Sequence, residues 1–261
     1  MANHGFLPKN GKKITIVDII IACFVGFGVS PVTSALLTAD GLEESGRDLD
    51  AVFDLVDVQK RNFGIEHDAS FSRRDASTGD ITRLDPQAWA ETLAALQRCG
   101  AVSPQCFGVA KLARIDGERR RNPRSDYNRD AAGYGAAEVG MLLGVYNPLE
   151  RGDAMAFCIR ALFQAEQIPP PCRPTSVTAR FHTVLDIAEA SVKTDRRLQV
   201  TSNGTVKDQN DILEVTGGNE VPVLALKQAL RVAGFANDKE VRSVLTWLGR
   251  RPQNRHNKKA S

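Results

Sequence analysis

The chain has 261 residues, 42% of them hydrophobic, enough to bury a large core as one domain; 34 basic against 31 acidic residues leave a net charge of +3. So slight an excess argues against nucleic acid or a membrane surface as a partner. Five cysteines, scattered without C-x-x-C spacing, exclude a structural zinc site and a dense disulfide framework.

The opening Met1-Ala2-Asn3-His4-Gly5 lacks the charged and apolar regions of a secretory signal. The apolar run 14–27 is too short to span a bilayer and contains Asp18, so it reads as a core helix. Thr15 and Asp18 form its capping pair, and Ile19, Ile20, Cys23 and Phe24 recur at helical spacing. Ser30-Pro31 starts a second helix, expected to fail near Gly41. Residues 50–58 repeat the apolar helical pattern and lead directly into a crowded polar stretch, 66–75, which begins Glu66-His67-Asp68-Ala69-Ser70. Two readings of that stretch stay open. One is a polar helix start with Asp68 or Ser70 as N-cap. The other is the oxygen-rich corner of a divalent cation site, with His67 and Asp68 or Asp75 as an oriented acid–base pair.

Residues 76–84 read as a loop, and Asp85-Pro86 and Ser103-Pro104 start helices that run to Gly100 and to about Glu118. Two longer helices are expected over about 131–146 and 153–167, the second stopped by Pro169-Pro170-Pro171. Residues 177–192 have helical spacing, 196–218 read as irregular or a short hairpin, and two last helices cover 221–234 and 237–248, the second capped at Asn237-Asp238. With no βαβ alternation and no run of period-two strands, the fold class is all-α. One domain is expected over 1–249, followed by a basic, disordered tail, 250–261. Arg119, Arg120, Arg121 and Arg124 read as solvated. Cys99 and Cys106 could pair across the Gly100 to Gln105 turn, while buried free thiols are the expectation for most of the five cysteines.

Glu138 is the most informative residue outside the polar stretch. Tyr134, Met141, Leu142 and Val145 share its helical face, which places a carboxylate on an apolar stripe. Desolvation there is expected to raise its pKa towards the range of a general acid–base; the plainer alternative is a glutamate rotated to the boundary or bonded to a neighbouring amide.

Several stretches taken together resemble the fungal heme-thiolate peroxidases, the chloroperoxidase and unspecific peroxygenase family. They are Ala2-Asn3-His4-Gly5-Phe6-Leu7-Pro8-Lys9-Asn10-Gly11, Glu66-His67-Asp68-Ala69-Ser70-Phe71-Ser72-Arg73, Ala137-Glu138-Val139 before Leu142-Leu143, and Phe163-Gln164-Ala165-Glu166-Gln167-Ile168-Pro169 with Arg173-Pro174. The resemblance covers about residues 2–174. It implies a chloroperoxidase-like helical fold, heme b as cofactor, and hydrogen peroxide used to oxidise, hydroxylate or halogenate a small organic substrate. It further implies that Glu66, Ser70 and the main-chain oxygen of His67 ligate a magnesium or manganese ion together with a heme propionate. Glu138 would shuttle the peroxide proton, positioned by His67, which Asp68 holds; Met141 and Ile65 would lie near the distal face.

The family holds its iron with a cysteine in a Cys-Pro-x-x-Asn-x-Leu/Met segment immediately before Ala-Asn-His-Gly, and Met1 stands here where that Leu or Met falls. Without that thiolate the chemistry loses its main electronic lever. Cys23, the nearest thiol, is expected to pack in its helix. Either the start lies upstream, which also accounts for a missing signal in a mostly secreted family and is preferred, or this is a homologue without thiolate ligation that binds rather than turns over. A monomer is expected.

Overall fold

The first helix starts where the sequence places it. The Thr15 hydroxyl oxygen accepts the Asp18 amide while the Asp18 carboxylate accepts the Thr15 amide at 2.8 Å, a reciprocal cap. The structure is a computed structural model that describes residues 1–58, 67–146, 154–217 and 221–250.

Twelve α-helices occur among these residues: α1 (Ile16–Phe27), α2 (Pro31–Glu44), α3 (Leu55–Val58), α4 (Pro86–Cys99), α5 (Pro104–Arg121), α6 (Arg129–Val145), α7 (Ala154–Ala165), α8 (Phe181–Val192), α9 (Arg196–Gln199), α10 (Gln209–Val215), α11 (Val223–Val232) and α12 (Lys239–Leu248). Short 3-10 turns form over Ala2–His4 and Pro170–Cys172. The described strands are β1 (Val200–Thr201) and β2 (Gly204–Thr205), an antiparallel pair with Val200 opposite Thr205. The expectation of an all-α fold therefore holds.

Helix α6 positions the site because it is buried on two sides. Ala131, Ala132, Ala136 and Ala137 join a core built with α1, α2, α8, α10, α11 and α12, whereas Val139, Leu143 and Val145 join a second core with α4, α5 and α7. Small residues let its neighbours close in. A Cβ on Gly140 would stand 2.2 Å from the Val184 carbonyl oxygen of α8, and one on Gly144 would stand 3.0 Å from the Ala179 Cα. Helix α1 ends at Gly28 with φ +65, and a side chain there would also strike the Ser176 carbonyl at 2.5 Å, so glycine is required twice over.

Several expectations are corrected. Helix α2 passes through buried Gly41 and stops at Ser45, with Gly46 at φ +69 making the reversal. Residues 50–54 are not helical: Asp50 lies in a turn, and Phe53 exchanges both of its backbone hydrogen bonds with Ile14, at 2.8 and 2.9 Å, leaving only the short α3. Residues 68–84 start no helix, so neither Asp68 nor Ser70 is an N-cap. Residues 196–218 contain, besides the expected hairpin, α9 and α10, the latter capped by the Asp208 carboxylate. Arg121 is not simply solvated but paired with Glu91 and Glu118. Cys99 pairs with Cys106 as the spacing allowed, but Cys158 pairs with Cys172, which leaves Cys23 as the free thiol. Residues 251–261 of the proposed tail lie outside the described residues.

Candidate active site

Of the residues singled out in sequence, Ile65 and Glu66 lie outside the described residues, and His67, Asp68, Ser70, Glu138 and Met141 lie within them. His67 opens the described part of the polar stretch and is buried. Its Nδ1 is 2.9 Å from the Asp68 carbonyl oxygen, which can only accept, so Nδ1 carries the proton. That leaves Nε2 facing Glu138, 3.4 Å from Oε2 across the gap between the loop and α6. The family resemblance implied that Asp68 holds His67; the structure makes that contact through the Asp68 main chain, while its carboxylate accepts the Asp126 amide at 2.9 Å.

The Glu138 side chain is 47% exposed, yet desolvation is the largest single influence on it. Its imidazole partner is buried, so the carboxylate is open on one side and faces His67 on the other. Desolvation pushes its pKa up, but the charge and hydrogen bond of His67 and the charge of Lys111 outweigh it, holding the carboxyl below its ordinary range. The expectation of a raised pKa is thus overturned by partners from two other elements. Met141 follows one turn later on the same helix and is half-buried.

The loop is fixed from outside rather than by helical bonding. Five successive carbonyls are each captured: Ala69 by Lys111 Nζ at 3.0 Å, Ser70 by Arg114 Nε at 2.7 Å, Phe71 by the Thr92 hydroxyl at 2.7 Å, Ser72 by the Asp85 amide at 2.9 Å, and Arg73 by Arg114 at 3.3 Å. A helix would need those carbonyls for itself. Fully buried Asp75 braces the turn, one oxygen accepting the Ala69 amide at 2.8 Å and the other the Asn122 side chain at 2.9 Å. Arg114, itself buried, is balanced by Glu91 at 2.7 Å and by buried Glu118.

Lys111 and Arg114 were not identified from sequence as supports of the site, and Asp75, considered there as an acid–base partner of His67, instead gives its carboxylate to the Ala69 amide and Asn122. The signal was present for both basic residues: Phe107, Lys111, Arg114, Ile115 and Glu118 follow helical spacing, so α5 carries charges on an apolar stripe just as α6 carries Glu138. Among the described residues no three His, Cys, Asp or Glu side chains group as a metal cluster. A groove of about 1040 Å³ between α11 and α12 is lined by residues such as Leu224, Lys227, Arg231 and Arg242, with no carboxylate or imidazole among its lining residues, unlike the His67–Glu138 pair. No described helix is long and apolar enough to cross a membrane.

Fold and site together define a helical protein in which an imidazole–carboxylate pair stands between α6 and a tightly braced loop. Residues 1–181 match the model of the family described as Peroxidase, family 2, and the chain belongs to that family, the fungal chloroperoxidases. Membership makes it a peroxidase-type oxidoreductase acting on peroxide and implies a heme cofactor. No curated protein matches the chain.

The chemistry of the His67–Glu138 pair fits a heme peroxidase. His67 and Glu138 are the donors and acceptors that peroxide chemistry needs. Cys23 does not complement them: burial pushes its thiol up, a hydrogen bond with Ser34 only partly opposing this, and it lies within α1 as a packed thiol rather than a thiolate.

Proposed function

We propose that the chain is a heme b peroxidase or peroxygenase that uses hydrogen peroxide to oxidise, hydroxylate or halogenate a small organic substrate in fungal secondary metabolism. The observation that carries this reading is the 3.4 Å approach of His67 Nε2 to Glu138 Oε2. Bound heme would supply the iron at which the peroxide O–O bond is broken. Glu138, held ionised at neutral pH, removes a proton from one peroxide oxygen and returns it to the other as that oxygen leaves. His67, its Nδ1 fixed on the Asp68 carbonyl, keeps the carboxylate in place. Met141 would narrow the approach, and by the family resemblance Ser70 and the His67 carbonyl, with Glu66 from outside the described residues, would ligate magnesium or manganese. The two disulfides suit an oxidising, secreted setting.

Glu138→Gln keeps the shape and removes the base. In the heme-loaded full chain it should lower peroxide turnover by ~10²–10⁴-fold with unchanged far-UV circular dichroism. Turnover within ~3-fold of the parent would be too small for loss of a general acid–base and would sink the reading.

A second reading, a non-catalytic homologue that keeps the fold without thiolate ligation, is favoured by the packed state of Cys23. A heme titration followed by its Soret band decides: no saturable binding, or binding without peroxide turnover, selects it.

A further inference from the structure

We propose that Lys111 is a positioning residue of this site, its ammonium holding Ala69, and through it His67, in register with Glu138. The proposal rests on the acid–base roles given above to His67 and Glu138. Lys111 is 5% exposed, and its Nζ donates to the Ala69 carbonyl at 3.0 Å and lies 5.4 Å from the centre of the Phe71 ring. It occupies space that Gly135 leaves open: a Cβ on Gly135 would stand 2.6 Å from Nζ and 3.7 Å from His67 Cε1. Lys111 and His67 therefore share one gap on α6, a turn before Glu138. The charged groups facing the ammonium are Glu138 from α6, Asp75 and Asp68 from the loop, and Arg114 from its own helix.

A buried ammonium is costly, and an apolar side chain would fill the same space more cheaply. The adjoining void, about 10 Å³, is at the lower limit for one water, so protein oxygens must satisfy Nζ. What the ammonium secures is a strained residue. Ala69 has φ +58, a conformation that is unfavourable for a residue with a Cβ. Both of its peptide groups are held, the N–H by Asp75 and the carbonyl by Lys111. With that carbonyl released, Ala69 relaxes to negative φ, the adjoining peptide turns, and His67, two residues earlier, swings away from Glu138.

Two variants of the full chain test this. Lys111→Met removes the ammonium, and Gly135→Ala keeps it but pushes it off the Ala69 carbonyl. The first readout needs no cofactor: the His67 Cε1–H resonance should move in both variants towards the position it takes in Glu138→Gln, where its carboxylate partner is lost. In the heme-loaded chain, kcat for peroxide should fall ~10–100-fold while KM changes less than ~3-fold, as a misplaced catalytic group predicts. A His67 resonance at the parental position in both variants, with kcat within ~2-fold, would overturn the proposal. Should Lys111→Met fail to fold, Gly135→Ala decides alone. If Glu138→Gln keeps full turnover, the functional reading fails, and the His67 resonance still decides whether Lys111 positions that ring.

Discussion

Lys111 and Glu138 carry opposite charges that influence one another, and their surroundings shift both pKa values downwards for different reasons. Lys111 is enclosed, so desolvation dominates and, despite Glu138, lowers its pKa to about 8. Glu138 is half open, and His67 with Lys111 overcomes its desolvation. The consequences for stability have opposite signs. A depressed carboxyl contributes stability above its unfolded pKa of about 4.3, lost as pH falls through the folded value, and at 47% exposure that contribution is small. For Lys111 the unfolded chain, with a pKa of about 10.4, still holds a proton between pH 8 and 10.4 that the folded chain has released. Stability should therefore rise across that window, by on the order of 3 kcal/mol, and be insensitive to this group below pH 8. Urea unfolding at pH 7.5 and pH 10 measures the rise in the parent. The same rise in Lys111→Met would show that it comes from another group.

At the scale of elements, the site depends on how closely α6 and α8 approach. Gly140→Ala places a methyl 2.2 Å from the Val184 carbonyl oxygen, a backbone atom that cannot step aside, so the two helices must part. A loss of about 1–3 kcal/mol is expected from the denaturant midpoint, with lower peroxide turnover because Glu138 rides on the same helix. An unchanged midpoint would mean that α8 yields freely there. Which elements were legible in sequence follows from how local their causes are. The starts of α1, α2, α4 and α5 are fixed by Thr15, Ser30, Asp85 and Ser103, whose side chains cap amides three residues on, so four short motifs sufficed. The loop around His67 is fixed by Thr92, Lys111, Arg114 and Asn122, which contact it across 21 to 47 positions of sequence, and no local rule reaches them. Phe53 is extended for the same reason, its partner Ile14 being remote. Glu138 lies between these cases: periodicity located it, but the direction of its pKa shift depends on His67 and Lys111 from other elements.

Across the whole molecule, the N-terminal segment and the segment after α7 form one seam. Asn3 donates to the Glu166 carbonyl at 2.8 Å, and the Ile168 amide donates to His4 at 3.1 Å, so two stretches that carry the family resemblance touch although more than 160 positions separate them. The Cys158–Cys172 disulfide closes this seam by tying α7 to the Pro170–Cys172 turn, and Cys172 is fully buried. A cross-link over 14 positions restricts the unfolded chain far more than the native one, worth roughly 3 kcal/mol by loop entropy; the Cys99–Cys106 bridge, over 7 positions, is worth less. Since Cys172 is out of solvent, reductant gains access only as the seam opens, and its effect should appear in the unfolding transition rather than in the spectrum of the native protein. Unfolding in dithiothreitol, which opens both bridges, should therefore show a free energy lower by about 5 kcal/mol, a little over half of it absent in a Cys158→Ala, Cys172→Ala variant that already lacks the longer bridge. Equal unfolding free energies with and without reductant in the parent chain would show that the seam holds by its hydrogen bonds and packing alone.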